Sequence, residues 1–138
     1  MMIKALVELL EKTAATKPNI NYVGVGNVYD LNTKADAEYS VVWITPIKTT
    51  VTENGVNHTV SLFYIDRLTD NLDNRLSIQS DGMKALMNII NTVKWSEDVE
   101  VNLPIEFTPF NQRFMDDCAG VFANVVFTTD GEGDCYFE

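Results

Sequence analysis

Between residues 2 and 16, Ile3, Leu6, Val7, Leu10 and Ala14 fall at helical spacing, and Leu9 broadens the stripe. Lys4, Glu8, Glu11 and Lys12 lie mostly off it. This predicts an N-terminal helix docked by one face and ending before Pro18, because the residue ahead of a proline is pushed out of the helical region. "INYVGVGNVYDLN" predicts a short strand, with Gly24 and Gly26 where another backbone approaches closely. "AEYSVVWITPI" is rich in β-branched and aromatic residues and predicts a strand near 38–47, with Pro46 marking a bend or an edge. Asn54-Gly55 between two β-prone arms predicts a hairpin with a type I′ turn, setting Glu53 opposite Val56, Val51 opposite His58 and Thr49 opposite Val60. Its tip is poor in large apolar residues and its base, Leu62 to Ile65, is rich in them, so the hairpin is expected to project beyond its own core.

A second helix follows. Ser77 or Ser80 can cap it, Asp81 suits the first turn, and Met83, Leu86, Met87, Ile90 and Val93 form a continuous apolar stripe. Beyond Trp95, Val99, Val101, Leu103, Ile105 and Phe107 alternate with polar positions, the pattern of a strand with one wet face. Pro104 on the polar side predicts an edge or a bulge. "CAGVFANVVFTT" predicts a last strand near 120–128. The order is α-β-β-β-α-β-β, with strands grouped rather than alternating with helices. That order predicts an α+β domain over 1–128, an antiparallel sheet with a long Asn-Gly hairpin and two helices on one face. Residues 129–138, closing in "DGEGDCYFE", read as an acidic tail that could contact a neighbouring subunit.

Composition narrows the function. The chain of 138 residues carries 10 basic and 20 acidic residues, a formal charge of −10. Such a balance argues against a surface that grips nucleic acid by its phosphates, though not against one that DNA slides past. No apolar run approaches the roughly 18 residues of a membrane span. Charges interrupt the N-terminal apolar positions, so a signal peptide is not expected and the protein is expected on the cytosolic side. Cys118 and Cys135 are too few for a disulfide framework and too isolated for a zinc site.

Candidate chemistry is sparse. Gly24 and Gly26 lack the third glycine and the following helix of a dinucleotide fingerprint. His58 has no cysteine or serine partner at a recognisable spacing. Asp66, Asp70 and Asp73 lack the glycine and terminal glutamate of a calcium loop, and read as turn formers ahead of the helix. Asp130, Glu132 and Asp134 alternate as calcium ligands do, but no glycine stands at the sixth position, so a solvated tail is expected. Asp116-Asp117 reads as a pair flanking a strand or a salt-bridge partner for Arg113. No catalytic residue, metal site or cofactor is expected. Trp43, Trp95, Tyr136 and Phe137 are candidate anchors for a partner, with core packing the more ordinary role for the two tryptophans.

One resemblance is carried by Tyr64-Ile65-Asp66-Arg67-Leu68, Ile78-Gln79-Ser80, Phe107-Thr108-Pro109-Phe110 with Phe114, and Asp117-Cys118-Ala119-Gly120. Over Ser61 to Phe127, about half the chain, the sequence resembles small proteins of Bacteroides-infecting tailed phages, including the crAss-like group. Proteins of this size and element order in such phages resemble the tail-terminator and tail-completion fold. The resemblance implies a non-catalytic structural protein of the virion, assembled in the host cytoplasm. It would be a subunit of a neck ring, twelve-fold or six-fold, between portal, neck and tail proteins, with genomic DNA passing through the lumen. It also implies side-by-side association through hairpins and termini. Candidate subunit contacts are therefore Val51, Glu53, Asn54 and Val56 on the hairpin and Tyr136 and Phe137 in the tail. The alternative is a small adaptor that holds a peptide on an exposed sheet edge.

Overall fold

Two long strands, β3 (Gly55–Arg67) and β6 (Cys118–Thr129), form the middle of the sheet, antiparallel and in unbroken register from Val56 opposite Thr129 to Arg67 opposite Cys118. The computed structural model in which they are seen describes residues 3–27, 39–53, 55–68, 74–96, 99–111 and 118–129. On the outer side of β3 lies β2 (Val41–Thr52), its hairpin partner, and then β1 (Tyr22–Val25). On the outer side of β6 lie β4 (Val99–Val101) and β5 (Phe107–Asn111). Helices α1 (Ile3–Ala15) and α2 (Arg75–Ser96) complete the α+β fold, and their buried side chains share one core with the same face of the sheet.

The sheet is mixed rather than antiparallel throughout, because β1 runs parallel to β2, with Tyr22 opposite Val41 and Val25 opposite Ile44. A parallel pair needs a crossover of a dozen or so residues, and the fifteen residues between Val25 and Val41 are enough. Gly24 serves a different neighbour from the one its sequence suggests. A Cβ there would stand 2.1 Å from Cζ3 of Trp43, so the glycine makes room for an indole and not for backbone. Trp43 is buried, and its Nε1 donates to the Gly26 carbonyl at 3.1 Å, which also accepts from Thr45 Oγ1 at 2.7 Å. Gly26, at φ 134, adopts a conformation that L side chains rarely take.

The hairpin forms where Asn54-Gly55 stands, in a different register. Thr52 pairs with Gly55 and Val51 with Val56, so Val51 does not face His58 and Glu53 does not face Val56. Gly55 spends its permissive backbone (φ 147) as the first residue of β3. The same register pairs Thr49 with His58, and further along a bulge between Pro46 and Lys48 shifts it by one residue, so Pro46 meets Val60. A slip of two residues keeps every side chain on its own face, so the apolar pattern alone does not choose between these registers. The hairpin also does not project beyond its core. Because β6 runs on to Thr129 opposite Val56, the tip is part of a wider sheet, and Val56 and His58 are fully buried.

Helix α2 starts earlier than a Ser77 or Ser80 cap implies. The Asn74 carbonyl accepts the first helical bond from Ile78 N at 3.0 Å, which places Asn74 at the cap. Its buried stripe is Ile78, Gly82, Leu86, Ile89, Ile90 and Val93, whereas Met83 and Met87 are exposed. Gly82 accounts for the rotation: a Cβ there would lie 2.6 Å from Tyr64 Cδ1 and 2.8 Å from Val121 Cγ1, so the helix backbone rests directly on the sheet. The strand expected over 99–107 is interrupted. Pairing to β6 has Val101 opposite Phe127 but Phe107 opposite Ala123, so six residues on one strand span four on the other, around Pro104. Leu103, expected inward, is instead exposed.

The sheet's opposite face carries a second apolar cluster of Val41, Trp43, Phe63, Ile65, Phe110 and Cys118, with Phe122 stacked on Phe63 at 5.3 Å between ring centroids. Toward the hairpin tip this face turns polar. There Ser61 donates to Asn124, and Thr128 Oγ1 lies 2.7 Å from Asn57 Oδ1 and 3.2 Å from Asn102 Oδ1.

The role of Gly82 gives a test with opposed signs. Helix propensity alone would make Gly82→Ala stabilising by up to about 1 kcal/mol. Overpacking against Tyr64 and Val121 instead predicts a net loss on the order of 1–3 kcal/mol, read from the urea midpoint. A higher midpoint would show that α2 does not lie as close to the sheet as described.

Candidate functional site

Three regions present chemistry at the surface. The first is a shallow groove of about 310 Å³ between α2 and the segment entering β1, lined by Asn19, Tyr64, Asp81, Lys84, Ala85 and Asn88. Its walls are held by Lys17, whose Nζ donates to Thr92 Oγ1 at 3.0 Å and Asn88 Oδ1 at 3.3 Å. Tyr64 reaches it from β3. Burial above all, and then the carboxylates of Asp66 and Asp81, raise its hydroxyl above the ordinary 10.0, against the opposing effect of its hydrogen bond with Ser40. Ser40 in turn donates to the Asn19 carbonyl. These bonds tie the loop before β1 to β3, and they explain Tyr64 as a structural strut.

The second region is the aromatic half of the open sheet face. At its border the Arg67 guanidinium sits 4.9 Å from the centre of the Tyr39 ring, a contact worth about 0.5–1 kcal/mol where exposed. The third comprises the sheet's lateral edges, where large apolar side chains remain in water. Ile47 and Val51 on β2 are 54% and 63% exposed; Trp95 at the end of α2 and Leu103 after β4 are 82% and 73% exposed.

The residues singled out from sequence do not converge. Val51 and Glu53 are exposed, whereas Val56 is fully buried and offers nothing to a neighbour. Asn54, Tyr136 and Phe137 lie outside the described residues, as do Asp70, Asp73, Arg113, Asp116, Asp117, Cys135 and the acidic residues of the tail. His58 lies in the core, its Nδ1 3.0 Å from Thr49 Oγ1. The Asp66 carboxylate accepts the backbone amide of Arg67 at 2.8 Å, the local bonding that turn aspartates favour. Cys118 is buried at the start of β6. Among the described residues no three His, Cys, Asp or Glu side chains gather as metal ligands would, and no helix is long and apolar enough to cross a membrane.

The two tryptophans divide: Trp43 packs in the core and Trp95 lies outside it, with Lys94 Nζ 5.9 Å from its ring centre. Pattern reading missed Leu103 and Ile47 as surface residues because each stands in a strand-like run. The signals that could have found them are the prolines next to them, Pro104 and Pro46, where regular alternation breaks. The chain matches no protein-family model and no curated protein.

Tyr64 gives a pH prediction. Its folded value lies above the ordinary 10.0, so above that pH the unfolded chain releases a proton that the folded chain retains. Its contribution is therefore fully present below about pH 10 and is lost as pH rises through the folded value. Tyr64→Phe should flatten that alkaline loss in chemical denaturation and cost about 1 kcal/mol at neutral pH for the missing hydrogen bond. An unchanged alkaline slope would show that Tyr64 is not held in this way.

Proposed function

We propose that this chain is a structural, non-catalytic subunit of a tailed-phage neck ring, with DNA passing through the lumen. The observation that carries the reading is the set of large apolar side chains left at both lateral edges of a domain whose core is already closed. Burying such side chains against a neighbour removes apolar area from water, which favours association. The segment bearing the phage resemblance, Ser61 to Phe127, supplies most of β3 and β6 together with α2, β4 and β5, so it covers one of those edges.

The charge of −10 suits a ring that DNA traverses, since an acidic wall does not bind phosphates. It also sets the condition for assembly. Like-charged subunits repel over a Debye length, about 8 Å at physiological ionic strength, so closure is favoured when salt screens the charge.

A peptide-holding adaptor is the competing reading. The β2 edge counts against it, because Pro46, the bulge beside it and Lys48 are the devices by which edge strands avoid pairing.

Light scattering and negative-stain imaging of the purified protein across concentration and salt test the proposal. Rings or discrete multimers that grow with salt are expected, alone or after mixing with the phage portal. A chain that stays monomeric in both settings overturns the ring. Tight, salt-sensitive binding to duplex DNA overturns the passive lumen.

A further inference from the structure

Besides Val25 on β1 and Leu76, Met83 and Met87 on α2, the large apolar residues left in water lie toward opposite margins of the sheet. Ile47 and Val51 are on β2, beyond the four residues Val41–Ile44 that β1 covers, while Trp95 and Leu103 flank β4 on the far side. Strand pairing fixes their levels. Val51, Val56, Thr129 and Val99 form one row across four strands, and Thr50, Asn57, Thr128 and Glu100 form the next. Lys48 stands two rows further in, opposite Thr59 and Val126, where the Val126 carbonyl accepts the amide of Asn102 at 3.0 Å. Val51 is therefore level with Val99, which follows Trp95 by four residues, and Lys48, next to Ile47, is level with Asn102, next to Leu103.

The sides agree as well as the levels. Val51 shares the helix side of the sheet with Val56, and Trp95 closes α2 on that side. Lys48 and Glu100 share the open side, through Thr59 and Thr128, and both are exposed. Glu53, at the hairpin tip, and Lys94, in the last turn of α2, are also exposed. One margin thus presents apolar, basic and acidic groups where the other presents apolar, acidic and basic ones.

We infer that these margins are the two halves of one heterologous seam between copies of this chain. Val51 and Ile47 of one copy pack on Trp95 and Leu103 of the next, Lys48 meets Glu100 on the open face, and Glu53 meets Lys94 at the tip. Unlike halves make the contact head-to-tail, which closes into a ring or runs on as a filament according to the rotation per copy. Pro46 and the bulge on one margin, and Pro104 and Pro109 on the other, leave the seam to side chains rather than to an added strand. The inference rests on the ring reading in taking a second copy as the partner.

The test is sedimentation of paired variants. Val51→Asp spoils one margin and Trp95→Asp the other, and both positions are exposed enough for the fold to survive, with an unchanged melting temperature as the control. Each alone should weaken association by at least roughly 30-fold, the scale of an interface hot spot. Mixed together they should form a one-to-one dimer that grows no further, because only one intact seam remains. Lys48→Glu and Glu100→Lys should each weaken assembly, and the double variant should recover it. Thr50→Cys with Glu100→Cys, in a Cys135→Ser background, should cross-link between copies under mild oxidation. Multimers that persist unchanged in all variants overturn the seam and leave the ring standing on another surface. Absence of both multimers and cross-links at millimolar protein overturns the seam, and the portal-mixing result then decides the ring separately.

Discussion

Everything else in the domain is attached to the pairing of β3 with β6. It is long, non-local and unbroken; it gives α2 a floor at Tyr64 and Val121, and it extends the hairpin end into a sheet of four strands. Alternate rows of that sheet bury side chains on the helix face, from Ala119 to Phe127 on β6 and from Val60 to Tyr64 on β3. Contacts so distant in sequence cost loop-closure entropy before they return any burial. The close seat of α2, possible only with glycine at position 82, is part of that return.

Much of this was legible from residue order alone. Helical spacing identified α1, β-branched runs located β2, β3 and β6, and the grouping of strands indicated α+β. The failures have a common physical origin, since each turns on a choice that local pattern leaves degenerate. Registers two residues apart bury the same face, so Val51 opposite His58 and Val51 opposite Val56 look alike until the turn is fixed. Glycine contributes nothing to a hydrophobic stripe, so the true axis of α2 through Gly82 was hidden behind Met83 and Met87. The direction of β1 depends on a crossover, not on its own four residues.

The surface was harder to read than the core for the same reason. A leucine in an alternating run looks buried, and Leu103 is buried only if the run stays regular past Pro104. A tryptophan in a chain this size usually packs inside, and only the fold separates Trp43 from Trp95. Neither edge of the sheet is an open invitation to strand addition, since prolines interrupt both and a bulge interrupts β2. What the edges retain is side-chain character, apolar on both and oppositely charged on the open face, with Lys48 and Glu100 two rows apart.

The division between the tryptophans also gives the protein two built-in optical reporters. Trp43 sits against Gly24 with its indole N–H on the Gly26 carbonyl, so its emission follows the integrity of the β1–β2 margin. Trp95 stands in water at the opposite margin, so its emission follows whatever covers that margin. Unfolding should redden the first, and docking should blue-shift the second. A single unlabelled chain can therefore distinguish loss of structure from gain of a neighbour within one spectrum.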